Sequence, residues 1–260
     1  MSVQVHPSAV VDPGAQLGDG VVVGPFSLIE DDVVIGPGTV IQNHVTIKAH
    51  TTIGSECRVF PYAALGTEPQ DTTYKDEATS LVIGDRTTIR ECSTFHRGTG
   101  SGRGVTTVGS DCMFMAYSHV AHDCQVGDHV IFANTATLGG HVIVEDWVFI
   151  SAFSAAHQFT RLGAHSFVGA ISGVSKDVPP YCMVAGNRAH LYGLNSVGLK
   201  RRGFSNETIC QLKEAYRLLF RNKDDVLSVS LEKLETSLGD VAEIKHLVEF
   251  IRASQRGICR

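Results

Sequence analysis

The chain has 260 residues, of which 43% are hydrophobic and 19% charged, a composition typical of a folded globular protein. Its formal net charge of −5 disfavours a nucleic-acid-binding surface, which would need a basic stripe along much of the fold. No segment offers the roughly 20 apolar residues of a membrane span, and the start lacks the pattern of a secretory signal. The seven cysteines show no CxxC spacing, which predicts reduced thiols in a cytoplasmic protein.

A branched apolar residue recurs every six positions from Val5 to Leu65, in ten uninterrupted steps. The next residue is often glycine, which we expect to relieve the backbone at tight corners. A six-residue period suits a short strand plus a turn, repeated around a triangular coil. The pattern therefore predicts a mainly β fold, a parallel β-helix of hexapeptide repeats over residues 1–194. Its left-handedness is a property of the hexapeptide class and does not follow from the spacing.

Two interruptions predict loops that leave the coil. The first covers residues 66–82, and the second is glycine-rich and covers residues 98–107. The repeat keeps its phase across the first loop and shifts by one residue across the second, after which it runs from Val108 to Val174. Long loops in compact folds are more often functional than accidental, so both are candidate parts of a site.

The repeat is expected to end at Pro179-Pro180, because proline supplies no N–H to the next ladder. From about Ser205 the apolar period becomes helical, with Ser205 or Asn206 as the candidate N-cap. A second helical stretch runs from Val241 to Ile251. We expect a small C-terminal α-helical domain over residues 195–260.

Polar side chains that could carry chemistry concentrate in the second half of the repeat. Because His122 and His141 are nearly one coil apart, we expect their side chains to lie close together outside the stack. Imidazole can take a proton from a hydroxyl, as acyl transfer to an alcohol requires, and Asp123 follows His122 directly. A solvated surface or a zinc site built from histidines are the alternatives for this cluster. Its five histidines are His96, His119, His122, His141 and His157.

Several short runs resemble the UDP-N-acetylglucosamine O-acyltransferase family, and the resemblance covers essentially the whole chain. These runs are Ile89-Arg90-Glu91, His96-Arg97-Gly98-Thr99, Ala121-His122-Asp123-Cys124, Gly140-His141-Val142, His157-Gln158-Phe159, Asp177-Val178-Pro179-Pro180-Tyr181 and Gly198-Leu199-Lys200-Arg201-Arg202-Gly203-Phe204. The resemblance implies transfer of an (R)-3-hydroxyacyl group from acyl carrier protein to the 3-hydroxyl of UDP-N-acetylglucosamine, the first step of lipid A biosynthesis. It also implies a homotrimer with sites between subunits and no cofactor.

The resemblance also implies a role for particular residues. His122 would be the general base, Asp123 would orient it, and the Gly140 N–H would stabilise the tetrahedral oxyanion. Arg201 and Arg202 would meet the carrier protein or the nucleotide phosphates, and no residue is expected to bind metal. The other substrate-binding positions would be Gln70, Asp71, His96, His119, His141, His157, Gln158 and Asn195.

Three positions bear on specificity. Ala170 stands where the family often has glycine beside the acyl groove, so its methyl group would limit chain length. The family usually has a Leu-Lys-Tyr run after Gln70-Asp71, and here Lys75 is the candidate substitute for the missing lysine. Arg188 departs from the family pattern as well. The chain length, and the choice between the 3-hydroxyl and a 3-amino analogue of the acceptor, stay open.

Three other functions compete with this hypothesis. The later N-acyltransferase of the same pathway normally has a domain before its repeats, whereas here the repeat begins at Val5. A hexapeptide carbonic anhydrase would hold zinc with three histidines across a subunit interface. A catalytically silent scaffold would leave the histidine cluster unexplained.

Overall fold

The computed structural model describes residues 2–222 and 225–260, and most of the chain forms a left-handed parallel β-helix with three sides. Gln4 pairs with Val22, and Val22 pairs with Val40, so one regular coil takes 18 residues. The predicted hexapeptide coil is confirmed. Each hexapeptide supplies one short strand, and every third strand belongs to the same sheet.

The first sheet contains Gln4–Val5, Val22–Val23, Val40–Ile41, Arg58–Val59, Thr88–Ile89, Met113–Phe114, Ile131–Phe132, Phe149–Ile150, Phe167–Val168, Cys182–Ala185 and His190–Leu194. The second sheet contains Val10–Val11, Leu28–Ile29, Thr46–Ile47, Ala64–Thr67, Thr94–His96, His119–Val120, Thr137–Leu138, Ala155–Ala156 and Gly173–Val174. The third sheet contains Gln16–Leu17, Val34–Ile35, Thr51–Ile53, Ser80–Ile83, Val105–Val108, Gln125–Val126, Ile143–Val144 and Arg161–Leu162.

The core runs along the axis of the coil. From Val23 onward the leading residue of each hexapeptide points inward and is buried, as Ile29, Ile41 and Ile47 illustrate with no measurable exposure. Where the coils carry phenylalanine, the rings of Phe95 and Phe114 meet edge to face with centroids 4.7 Å apart. Burying one such side chain contributes about 1.5–3 kcal/mol. Because the inward side chains pack against those of the adjacent coils, each coil is stabilised mainly by its neighbours in the stack.

At most of the glycines that follow a leading residue the reason differs from the one predicted; Gly66, with φ 72°, is the exception that adopts the left-handed backbone. Gly24 and Gly36 do not adopt a positive φ; instead an added Cβ would lie 2.8 Å and 2.6 Å from the backbone of the next coil. Glycine there allows two coils to stack closely. The left-handed backbone falls two residues later, on residues such as Phe26 with φ 58°.

Both predicted loops are present but shorter than expected, because strand pairing continues into their ends. The first spans residues 68–79, between Ala64–Thr67 and Ser80–Ile83, and the second spans residues 97–104. Across the first loop, Arg58 pairs with Thr88, which comes 30 positions later. Because 30 is a multiple of six, the hexapeptide repeat keeps its phase. Across the second, Thr88 pairs with Met113, 25 positions later, which accounts for the phase shift.

The prediction that the repeat stops at Pro179-Pro180 is wrong. Cys182–Ala185 still pairs in parallel with Phe167–Val168, because tyrosine and cysteine restore backbone donors directly after the prolines. The strand then turns back, and His190–Leu194 pairs with it in antiparallel fashion. Near the C-terminus, Cys259 N–H donates to Asp177 O over 2.8 Å, so the end of the chain covers the last coil.

The C-terminal helices are α1 (Ser196–Arg201), α2 (Asn206–Tyr216), α3 (Leu227–Leu238) and α4 (Ala242–Arg252), with a π-helical turn at Arg217–Arg221. Ser205 caps α2 by accepting from Thr208 N–H, as predicted. The helices α1 and α3 lie outside the two helical stretches read from the sequence. Among the described residues, no helix is long and apolar enough to span a membrane. All seven cysteines are free thiols.

Candidate active site

The candidate site lies on the corner where the chain passes from the second sheet to the third. We call His122, Asp123, Gly140 and His141 the histidine corner. Asp123 and His141 occupy the same turn position in successive coils, with φ of 59° and 60°. His141 N–H donates to His122 O over 3.0 Å, and the two imidazole centroids are 5.0 Å apart. The coil therefore brings these side chains together, as its length predicted.

His122 and Asp123 form a hydrogen-bonded pair. His122 Nδ1 lies 2.8 Å from Asp123 Oδ2, and the Asp123 side chain has no exposed surface, whereas that of His122 is 14% exposed. Burial alone would raise the pKa of Asp123, but hydrogen bonds from Thr99 and His122 outweigh it and the pKa is lowered. An ionised Asp123 can accept from an N–H at Nδ1, and in that tautomer of His122 the Nε2 atom carries the lone pair that a general base needs.

The Gly140 backbone lies directly against the His122 ring. A Cβ added to Gly140 would lie 2.5 Å from Cε1 and 2.6 Å from Nε2 of His122. Among the described residues, no hydrogen-bond acceptor is found for the Gly140 N–H, while the N–H groups on either side bind neighbouring coils. A free N–H thus lies beside the basic nitrogen, where an oxyanion could form.

His141 and the coil after it extend the polar corner. His141 Nε2 lies 3.8 Å from Asp123 Oδ2, and the Phe159 ring stacks on the His141 ring with centroids 4.4 Å apart. The pKa of His141 is lowered, first by burial, although the Asp123 charge opposes this. His157 and Gln158 are exposed in the next coil, and His157 Nδ1 is 3.3 Å from Arg256 Nη2. The predicted binding residues of this stretch therefore form one column.

His96 and His119 lie next to this corner, in adjacent coils of the second sheet, with ring centroids 5.1 Å apart. Thr94 Oγ1 is 2.8 Å from His119 Nδ1. Burial, with the neighbouring histidines, lowers the pKa of His119 to about 4, and burial also lowers the pKa of His96. Both rings are therefore neutral near pH 7, and the buried Nε2 of His96 has no partner among the described residues.

The first loop brings Asp71 to the same corner. The pKa of Asp71 is lowered mainly by hydrogen bonds from Thr73, and the nearby imidazoles of His122 and His141 lower it further when they are protonated. Gln70, next to it, is exposed. Lys75 is also exposed, and its backbone N–H donates to Glu77 Oε2 over 3.0 Å.

Asn195, Arg201 and Arg202 do not lie at the histidine corner of the same chain. They line a groove of about 510 Å³ against the outer face of the first sheet. The buried Asn195 caps α1 by accepting from Gly198 N–H, and its Nδ2 donates to His165 O over 2.9 Å. In a three-sided coil the first sheet is opposite the corner between the other two. Within a single chain, these three residues and His122 therefore lie on opposite sides of the coil.

Arg202 is held by residues that sequence reasoning did not single out. Its Nη1 lies 3.3 Å from His165 Nδ1, and its guanidinium carbon lies 5.4 Å from the centroid of the Trp147 ring. Burial, followed by the Arg202 charge, lowers the pKa of His165 to about 4, so the neutral ring can accept from the guanidinium. Arg201 is exposed beside it.

Ala170 and Arg188 lie elsewhere again. Ala170 is exposed in the turn from the first sheet to the second, and Arg188 is exposed between the last two strands. Neither contacts the histidine corner of its own chain in the hydrogen bonds or ion pairs of the described residues.

The histidine corner is also the one group of side chains, among the described residues, with the spacing of a metal site. Ligand atoms of His122, Asp123 and His141 lie within 4.8 Å of one another. Both Asp123 oxygens, however, already accept hydrogen bonds from Thr99 and Arg103 N–H, and Oδ2 faces His122 Nδ1. These hydrogen bonds suit a carboxylate that orients a histidine base. A bound cation would need the carboxylate lone pairs that they already occupy.

Thr99 and Arg103 contact the proposed catalytic carboxylate directly, although sequence reasoning assigned them no role. The signals for them were the glycine-rich run that shifts the phase of the repeat and, for Thr99, the run His96-Arg97-Gly98-Thr99. Phe159, His165 and Trp147 were missed because ring stacking between coils depends on which residues share a corner.

Comparison with known proteins points to one family. A model of the bacterial transferase hexapeptide repeat matches residues 26–61 and 106–140, and a model of the second domain of UDP N-acetylglucosamine O-acyltransferase matches residues 177–259. The curated acyl-[acyl-carrier-protein]–UDP-N-acetylglucosamine O-acyltransferase of Burkholderia mallei is 53% identical over 265 residues, covering 99% of each chain.

Solved structures agree with the sequence relatives. The UDP-N-acetylglucosamine acyltransferase of Francisella novicida has a TM-score of 0.94 at 38% identity, covering 99% of this chain and 94% of that one. The UDP-N-acetylglucosamine O-acyltransferase of Moraxella catarrhalis has a TM-score of 0.95 at 39% identity, covering 98% and 99%. The similarity therefore includes the coil, both loops and the helices.

Proposed function

The chain belongs to the UDP-N-acetylglucosamine O-acyltransferase family, and from this premise we propose how its residues carry the reaction. The enzyme transfers an (R)-3-hydroxyacyl group from acyl carrier protein to the 3-hydroxyl of UDP-N-acetylglucosamine, the first step of lipid A biosynthesis. The thioester is already activated, so the protein has to supply a base, an oxyanion site and positioning.

We propose that His122 is the general base, and the observation that carries this is its geometry. Asp123 binds Nδ1 over 2.8 Å, which leaves Nε2 as the acceptor. Nε2 takes the proton of the 3-hydroxyl as that oxygen attacks the thioester carbonyl. The tetrahedral intermediate then expels the carrier thiolate, which receives the same proton from His122.

The Gly140 N–H is the proposed oxyanion donor. It has no acceptor among the described residues, and it lies beside the His122 ring, where the attacked carbonyl must be. A fixed backbone donor needs no reorganisation as charge develops on the oxygen, and such donors typically contribute about 10²–10³ in kcat.

The acceptor sugar nucleotide is proposed to bind along the histidine corner. His141, His157 and Gln158 offer polar groups in successive coils, and Asp71 approaches from the first loop. The neutral imidazoles of His96 and His119 fit hydroxyl or amide partners better than phosphate.

The opposite placement of Arg201 supports a homotrimer with sites between subunits. If Asn195, Arg201 and Arg202 serve the same site as His122, the first sheet of one subunit has to face the histidine corner of another. The groove they line has an apolar floor and a cationic edge, which suits the acyl chain and phosphate of an acyl carrier protein. Its floor is formed by Ile131, Phe149, Phe167 and Met183.

We assign the enzyme to the cytoplasm, because seven free thiols suit a reducing compartment. Ala170 is proposed to limit the acyl chain length, and Lys75 is proposed to supply the cation that the family pattern has earlier in the loop.

The function is tested by mass spectrometry of the product. Purified enzyme is given carrier protein loaded with 3-hydroxyacyl chains of several lengths, and either UDP-N-acetylglucosamine or its 3-amino analogue. We expect an ester product with the 3-hydroxyl acceptor. Formation of the amide alone would move the acceptor assignment to the amino sugar, and absence of both products would contradict the function.

The intersubunit site has its own test, which uses two impaired variants and a carrier-protein concentration below the raised KM expected for Arg201→Glu. His122→Ala and Arg201→Glu are co-expressed with different tags, and trimers that carry both tags are isolated. If one site takes His122 and Arg201 from different subunits, some sites in mixed trimers escape both substitutions and activity returns. Mixed trimers that are no more active than the two parents would contradict a shared site.

A further inference from the structure

The glycine-rich second loop encloses the Asp123 carboxylate. We infer that Thr99 is a positioning residue for acyl transfer, which holds Asp123 ionised and aimed at His122 through its hydroxyl and its backbone N–H. The inference rests on the proposed role of His122 as the base.

Hydrogen bonds to Asp123 come mainly from this loop. Thr99 Oγ1 donates to Oδ2 over 2.7 Å, and Thr99 N–H lies 3.1 Å from Oδ2 and 3.2 Å from Oδ1. Arg103 N–H donates to Oδ1 over 2.8 Å. The backbone of Asp123 is fixed as well, because its own N–H donates to Thr106 Oγ1 over 2.8 Å. The carboxylate therefore has little freedom to rotate away from His122 Nδ1.

The site is buried, which makes these donors decisive. Thr99 is 2% exposed and Asp123 is 1% exposed, so water does not replace a lost donor easily. Burial raises the pKa of Asp123, and the Thr99 hydroxyl is the foremost of the groups that lower it again. A carboxylate that loses this hydrogen bond becomes more basic. The hydrogen-bonded pair of His122 and Asp123 then also takes up a proton at higher pH.

The sequence of the loop fits this task. A Cβ added to Gly102 would lie 2.4–2.5 Å from the carboxyl atoms of Asp123, so only glycine allows the loop to approach this closely. Ser101, in contrast, is exposed, and among the described residues its hydroxyl contacts only that of Thr99, at 3.4 Å. The loop that displaces the repeat by one residue thus lies directly on the catalytic pair.

The test compares Thr99→Val with Thr99→Ser, and uses Ser101→Ala as the matched removal of a hydroxyl from the same loop. We expect Thr99→Val to lower kcat by about tenfold or more, the scale of a lost hydrogen bond to a buried charge. The acid limb of its pH–kcat profile should move to higher pH. Thr99→Ser should restore both properties, and Ser101→Ala should resemble the wild type.

A purely structural role would lower the amount of folded trimer or raise KM without moving the acid limb, and that result would overturn the inference. So would a Thr99→Val enzyme equal to Thr99→Ser in both kcat and pH profile. If Thr99→Val does not fold, Gly102→Ala is the second variant, because its methyl group displaces the carboxylate while every hydroxyl is kept. A Gly102→Ala enzyme with an unmoved acid limb would also count against the inference.

His122→Ala separates failure of this inference from failure of the proposed function. An active His122→Ala enzyme would contradict the role of His122 as the base, and with it the role of Thr99. An inactive His122→Ala enzyme together with an unaffected Thr99→Val enzyme would remove only the role of Thr99. In the His122→Ala background, Thr99→Val should cause no further loss, because the residue acts through His122.

Discussion

Substitution of Gly140 by alanine tests how closely the proposed oxyanion site and the proposed base, His122, are fitted together. The added Cβ would lie 2.5 Å from His122 Cε1, whereas ordinary contact begins near 3.4 Å. The ring therefore has to retreat by about 1 Å, a displacement that can cost about 10²-fold in rate, or about 2.7 kcal/mol in the activation free energy. The backbone N–H survives the substitution, so the loss reports the position of His122.

The assay is steady-state acyl transfer with both substrates saturating, together with a check of oligomer mass and circular dichroism. Gly193→Ala is the matched control, because an added Cβ meets nothing within 4 Å there. Introducing Gly140→Ala into a His122→Ala enzyme should cost little more. A Gly140→Ala enzyme with kcat within about threefold of the wild type would refute the reasoning, and so would full additivity of the two losses.

Three further predictions concern binding, specificity and stability. Arg201→Glu should raise KM for acyl carrier protein, and the wild-type KM should rise with salt because exposed charge attraction is screened; a KM indifferent to both would exclude a carrier contact. Ala170→Gly should favour longer 3-hydroxyacyl chains and Ala170→Met shorter ones, since each methylene contributes about 0.8 kcal/mol; identical ranking of loaded carriers by product mass would exclude Ala170 as the limit. His165 has its pKa lowered to about 4 in the fold, so the unfolded chain gains its proton first as the pH falls below about 6.5, and stability is lost toward pH 4. On going from pH 8 to pH 5, the unfolding free energy of His165→Phe should therefore fall by about 1–2 kcal/mol less than that of the wild type, a range that allows for solvent screening of the half-buried ring. The measurement is urea denaturation at both pH values, and equal falls would contradict a neutral His165 in the fold.

The sequence predicts the coil well because its cause is local and repeated. An inward residue such as Ile41 recurs every six positions, and burial of that side chain requires the coil. The role of the following glycine was not predicted, since Gly36 is constrained by the backbone of Gly54, one coil away. Close approach between coils leaves no trace in the spacing of a single hexapeptide.

The candidate site was predicted in part, for a similar reason. His122 and His141 are nearly one coil apart, so simple arithmetic brings them together, whereas Thr99 reaches Asp123 only because a loop folds back across a coil. The opposite position of Arg201 could not be read from spacing either, because it depends on where the chain leaves the coil after residues 182–194.

The first sheet continues past Pro180, so the expectation that two prolines end the strand pairing does not hold here. Each proline removes one donor, but Tyr181 N–H still donates to Ala164 O over 2.8 Å, and the next strand pairs normally. The helix α1 was missed because it has only six residues and its cap, Asn195, is held by a contact with the coil.

The most direct test of the proposed mechanism is the turnover of His122→Ala measured on folded enzyme with the oligomer mass of the wild type. General acid–base catalysis typically contributes about 10²–10⁴-fold, so we expect kcat to fall by at least about 10²-fold while KM for both substrates changes little. His122→Gln should be similarly impaired, because an amide cannot accept the proton. Near-normal turnover by either variant would remove His122 from the chemistry and contradict the mechanism.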